Sequence, residues 1–166
     1  AGPDVVAAKS PKPVTSPTLT ASDSRMPIEP TDVVAFANDS AGLLTSAVDQ
    51  VDRAATWLRA HPNYRLVVDG HTDATGTESH NASLAFARAA AVRSRLQSQG
   101  IPPDRIVLVA YGEESAIHPD NINDRRVVMY ATRLPAEQVA RASYERGAVR
   151  TAWSANGSTF DMPAGQ

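Results

Sequence analysis

The sequence predicts an α/β (α+β) two-layer sandwich in which helices cover one face of a mixed sheet. Three observations predict it. Short runs rich in Val, Leu and Ile alternate with longer segments whose apolar residues recur at spacings of three and four. From residue 33 these segments follow the order β-α-β-α-β-β. Helical crossovers favour parallel neighbouring strands and right-handed connections, which places the helices together on the sheet.

Each element has its own signal. Val33-Val34-Ala35-Phe36 is a short apolar strand, closed by Asn38-Asp39-Ser40, which supply turn and helix-capping chemistry. Leu44, Val48, Val51, Ala55 and Leu58 form one apolar helical face that stops before Pro62. Arg65 to His71 reads as a strand with a polar exit, followed by the oxygen-rich turn Thr72 to Ser79. A long helix is expected from about Asn81 to Gln99, with Gly100 suited to its C-cap. Ile106–Tyr111 and Val127–Thr132 are the third and fourth strands. Residues 135 to about 149 read as a weakly amphipathic helix, and Thr151 to Gln166 as an irregular tail.

Composition bounds the organisation. A chain of 166 residues supports one main core. Six of its 12 prolines (Pro3, Pro11, Pro13, Pro17, Pro27 and Pro30) lie among Ser, Thr and Ala, so residues 1–31 are expected to be a Pro-rich flexible tether. Residues 32–134 would then be the folded domain, with 135–166 a C-terminal helix and tail. A net charge of -2 argues against nucleic acid as the main partner. Without cysteine there are no disulfides, thiolate nucleophiles or Cys-based zinc sites. No apolar run is long enough to span a bilayer, so membrane attachment would require a further segment or a lipid.

One residue breaks the helical pattern. Arg88 lies four positions after Leu84 and four before Val92, on the inward stripe of the long helix. A buried guanidinium needs compensation, so a carboxylate from the protein or from a ligand is expected beside it, and Asp73 is the nearest candidate. Spacing alone leaves two readings open: Asp73 and Arg88 bind a ligand together, or Asp73 caps the helix and bridges to Arg88. A different chemistry would use His71, Asp73 and His80 as ligands of a hydrolytic metal, although their spacing matches no established metal motif. A serine hydrolase lacks its Gly-x-Ser-x-Gly elbow. A third reading makes the chain an interaction module, with a protein partner docking on the C-terminal segment; Trp153 and Phe160 there could equally pack on the core.

The stretch Asp69-Gly70-His71-Thr72-Asp73-Ala74-Thr75-Gly76, followed at fixed distances by Asn81, Leu84 and Arg88-Ala89, resembles the OmpA-like peptidoglycan-binding domain family. Phe36 to Leu43, Tyr111-Gly112-Glu113 and Arg125-Arg126-Val127 extend the resemblance over residues 33 to 133. It implies a non-catalytic domain without cofactor or metal. Its Asp73 and Arg88 would bind the amino and carboxylate groups of diaminopimelate in the peptidoglycan stem peptide, with Asp39, Thr72, Asn81 and Arg125 in secondary roles. The resemblance also implies a periplasmic protein that ties an outer membrane to the cell wall of a Gram-negative-type bacterium, with an envelope protein as a further candidate partner. The chain departs from the family pattern at Asn38, where an aromatic is usual, at Asp124, where Asn is usual, and in Ser83-Leu84-Ala85.

Overall fold

Alternation along one strand sets the architecture. In β3 (Arg65–Gly70), Leu66 and Val68 enter one apolar cluster while Val67 enters another, so both faces of the sheet are covered. The computed structural model describes residues 26–27, 33–72, 76–112, 125–155 and 158–163. Around β3 it contains β1 (Met26–Pro27), β2 (Val33–Ala35), α1 (Thr45–Ala60), α2 (Glu78–Ser98), β4 (Ile106–Tyr111), β5 (Arg126–Thr132), α3 (Ala136–Glu145), β6 (Ala148–Ala155) and β7 (Ser158–Pro163). The sheet order is β1-β5-β3-β4-β6-β7, with β2 also pairing to β5. Only β3 and β4, linked through α2, are parallel; the other described pairs are antiparallel.

The mixed sheet and its two covering helices follow the predicted order. Val51 and Leu58 of α1, with Ala89, Val92 and Leu96 of α2, pack on Leu66, Val68, Leu108 and Met129. The two helices are clamped by a bidentate pair, Arg95 Nε and Nη2 each donating to a carboxylate oxygen of Asp52 at 2.8 Å. That bond holds the Asp52 carboxyl below its ordinary range. Gly70 lets α2 approach β3 closely, since a Cβ there would lie 2.0 Å from the carbonyl oxygen of Ala85.

The C-terminal third departs from expectation. The helix ends at Glu145, and the segment expected to be an irregular tail forms β6 and β7, an antiparallel hairpin that extends the sheet from β4. α3 packs on the face opposite α1 and α2, where Val139 and Ala140 meet Val67, Val107, Val109, Tyr111, Tyr130 and Trp153. The reason lies in β3 and β4: the buried strand β4 alternates apolar residues on both faces, and a second layer must remove the far face from water. On the near face, Arg150 of β6 pairs in a bidentate manner with Asp161 of β7 and lies 3.7 Å over the ring of Phe86 in α2. At the opposite edge, Met26 and Pro27 pair with Ala131 and Tyr130. The remainder of the expected tether, residues 1–25 and 28–31, lies outside the described residues.

Candidate functional site at the carboxyl end of β3

The chain leaves the sheet through buried residues. His71 continues the register of β3, its amide donating to the carbonyl of Arg126 at 2.9 Å, and its ring stacks on Tyr111 with centroids 5.0 Å apart. Thr72 is buried, and its hydroxyl has no hydrogen-bond partner among the described residues. Asp73, with residues 74 and 75, lies outside the described residues. Gly76 has a φ of 89°, in the left-handed region. Thr77 then caps α2, its hydroxyl accepting from the His80 amide at 3.1 Å. The helix therefore starts one turn earlier than its apolar periodicity indicates. Asn81, one turn in, is buried, and Gly76 passes close to its side-chain oxygen.

Arg88 is the largest fully buried side chain among the described residues, with 0% of its surface exposed. Its fork donates in three directions: Nε to the carbonyl of Ser40 at 2.8 Å, Nη1 to that of His71 at 3.0 Å and Nη2 to that of Ala37 at 3.0 Å. The ring of Phe36 lies below the guanidinium, 5.4 Å from Cζ to centroid. The three acceptors at these distances are backbone carbonyls, which orient the guanidinium fork; Asp73, the carboxylate expected beside it, lies outside the described residues.

The loop supplying two of those carbonyls is itself held. Phe36 donates its amide to the carbonyl of Arg125 at 2.8 Å, which places Arg125 at the base of the same loop. Asp39, between the two acceptor residues, has a φ of 52°, and its carboxylate is 2.6 Å from Nε2 of His80 on α2. The structure thus links Arg88, Asp39 and Arg125 through one loop, with Thr72 and Asn81 bordering the turn that Asp73 occupies in the sequence. The histidines considered as metal ligands are engaged separately, His71 on Tyr111 and His80 on Asp39. Among the described residues no cluster of three or more His, Asp or Glu side chains could hold a metal ion. Sequence reasoning missed the Asp39–His80 contact, whose partners are 41 positions apart.

Comparison with known proteins bears on the family and the fold. The pattern of the OmpA family matches residues 35–129. The chain is 40% identical over 86 residues to the peptidoglycan-associated lipoprotein of Agrobacterium fabrum, covering 52% of this chain and 49% of that protein. It is 36% identical over 84 residues to the peptidoglycan-binding protein ArfA of Mycobacterium bovis, covering 51% and 26%. The chain matches about half the length of the first of these relatives. The crystal structure of the peptidoglycan-associated lipoprotein from Burkholderia pseudomallei superposes with a TM-score of 0.58 at 27% identity, over 61% of this chain and 91% of that one. The C-terminal domain of Helicobacter pylori MotB shares the fold, with a TM-score of 0.56 at 22% identity over 69% and 95%. With more than half of its length matched by the family pattern, and with the fold to go with it, the chain belongs to the OmpA family.

Proposed function

We propose that this chain is a non-catalytic peptidoglycan-binding protein. It grips the diaminopimelate of a stem peptide between Asp73 and Arg88 and so ties the envelope to the cell wall. The observation that carries the reading is the fully buried Arg88, its guanidinium oriented by three carbonyls at the end of the strand that leads into Asp73. Carbonyls hold the planar fork in one orientation, and a guanidinium fork is suited to paired contact with a carboxylate. Asp73 supplies the acceptor for the neighbouring ammonium, and the first amides of α2 favour negative charge at the same end. Thr72, Asn81, Asp39 and Arg125 shape the surroundings. The relatives named as peptidoglycan-associated and peptidoglycan-binding support the ligand class.

In this reading the protein faces the periplasm of a Gram-negative-type cell and reaches an outer membrane through a lipid or a further segment. Sedimentation with purified diaminopimelate-type sacculi tests it. The wild-type protein pellets with the wall, while Asp73→Ala stays in the supernatant with its melting temperature retained. Co-sedimentation of Asp73→Ala at the wild-type level would overturn the assignment.

A further inference from the structure

The end of the sheet opposite Arg88 carries polar groups that the wall-binding reading does not use. We propose that the cleft between the start of α3 and the end of β6 binds a small zwitterion, a carboxylate with an ammonium a few bonds away, as at the ends of a short peptide. The site is separate from the one assigned to the cell wall. Arg65, the first of the six residues of β3, lines it, so at about 3.3 Å per residue it lies roughly 20 Å from the strand end that leads to Arg88. The start of α3 and the end of β6, which build most of the cleft, fall outside the 35–129 segment that the OmpA family pattern matches.

Donors line this cleft from three elements. α3 begins at Ala136 after Pro135, and no side chain caps it. The amides of Gln138 and Val139 go to the Pro135 carbonyl, which leaves those of Ala136 and Glu137 directed beyond the helix end. Arg65 donates from Nη1 to the Leu134 carbonyl at 2.8 Å and from Nε to that of Asp104 at 3.4 Å, which orients its guanidinium along the cleft wall. Trp153 of β6 is the residue that points to a ligand. It lines the cleft, only 6% of it is exposed, and its indole Nε1 has no hydrogen-bond acceptor among the described residues. A buried donor left without an acceptor is costly, and an acceptor brought by a ligand removes that cost.

The balance of charge selects the ligand. The Arg65 guanidinium and the positive end of α3 favour an anion, which a carboxylate or a phosphate could supply. Asp104 and Glu137 also line the cleft, and both are exposed. Two carboxylates repel a dianion and attract an ammonium, so the best fit carries one negative charge toward Arg65 and one positive charge toward the rim. Phosphate is thereby disfavoured. The cleft volume of about 430 Å³ admits a molecule the size of a dipeptide.

The indole N–H is its own reporter. In the isotope-labelled full chain, nuclear magnetic resonance follows the indole signals of Trp153 and Trp57 while alanyl-alanine is titrated in. The Trp153 signal and the Ala136 and Glu137 amides should shift together and saturate in the millimolar range that a ligand of this size reaches, with Trp57 unmoved. Alanyl-alanine amide, which lacks the carboxylate, should leave them in place. The acetylated dipeptide, which lacks the ammonium, should bind about two- to fivefold more weakly, and inorganic phosphate more weakly than the dipeptide. Trp153→Phe keeps a ring in the far cluster but loses the donor; followed at the Ala136 amide, its affinity should fall at least about tenfold, with sacculus sedimentation unchanged. Arg65→Gln, followed at the Trp153 indole, should lose about as much. An indole signal that ignores alanyl-alanine, or that answers the amide equally, would overturn the site on the wild-type protein alone. So would wild-type affinity in a folded Trp153→Phe or Arg65→Gln.

Discussion

Arg88 in the middle of α2 donates to the carbonyl of His71 at the end of β3, 3.0 Å away and fully buried. The bond makes Arg88 part of the fold as well as part of the site. Seen only as a cation on an apolar stripe, the residue could be removed with little harm to stability. With three carbonyls depending on it, Arg88→Ala should instead destabilise the domain by roughly 3–5 kcal/mol, the cost of breaking a buried charged network. Arg88→Lys keeps the charge but cannot span three acceptors from one planar fork, so it should lose part of that amount. Urea melts of the three proteins check this, and a melting curve for Arg88→Ala matching the wild type would contradict it. Wall-binding assays on Arg88 variants therefore need a folding control, which makes Asp73 the better position for testing recognition.

Much of this was legible in the sequence for a simple reason: side-chain pattern reports what side chains do. The faces of α1 and α2 followed from apolar spacing, and the inward direction of Arg88 followed from its place on that stripe. The acceptors of Arg88 were not legible, because a backbone carbonyl has no residue type. The start of α2 was missed by a turn because Glu78, Ser79 and His80 are polar and add nothing to the apolar period, although Thr77 is a capping residue. The β6–β7 hairpin did leave a signal: Asn156-Gly157 separates two alternating runs, a strong short-range hairpin signature. The placement of α3 was encoded at a distance, in the alternation of β3 and β4, whose far face had to be covered by something.

The close approach of α2 to β3 gives a second prediction. At Gly70 a methyl group would meet backbone rather than a movable side chain, 2.0 Å from the Ala85 oxygen and 2.9 Å from its carbonyl carbon. Either the helix or the strand must shift, and the shift disturbs the His71 carbonyl that Arg88 uses. Gly70→Ala should cost at least about 2 kcal/mol, at the upper end of ordinary overpacking. It should also weaken wall binding even where enough folded protein remains. Thermal melts and sacculus sedimentation on the same samples would show both effects.

The C-terminal third yields a prediction opposite to the domain boundary expected from sequence. Ending the chain at residue 134 would strip α3 and the hairpin from Val67, Val107, Val109, Tyr111 and Tyr130, all of them buried. An exposed apolar sheet face beside an unpaired β4 edge favours aggregation. The truncated chain is expected to be insoluble or unfolded under conditions where the full chain is soluble. A gentler probe is Trp153→Ala, which removes a ring packed in the far cluster and should cost about 3–5 kcal/mol. A soluble truncation with a cooperative melt near that of the full chain would show that residues 135–166 are an accessory.

The last prediction concerns which cell wall the site accepts, and it follows from the charges that Asp73 and Arg88 can each satisfy. Diaminopimelate ends in an ammonium and a carboxylate on one carbon, whereas lysine at the same place in a stem peptide presents the ammonium alone. Asp73 accepts either. Arg88 distinguishes them, because its guanidinium is held in place by carbonyls and can pair with a ligand carboxylate only where the ligand carries one. A site that makes a charge-assisted contact to a ligand carboxylate rejects the analogue that lacks it by roughly 2–5 kcal/mol. At about 1.4 kcal/mol per tenfold change, lysine-type muropeptides should bind at least about 30-fold more weakly. Amidation of the same carboxylate keeps the shape but removes the charge, so that ligand should fall between the two. Calorimetric titration of the three muropeptides at one pH decides the matter. Equal affinities would remove Arg88 from recognition and leave it a purely structural cation.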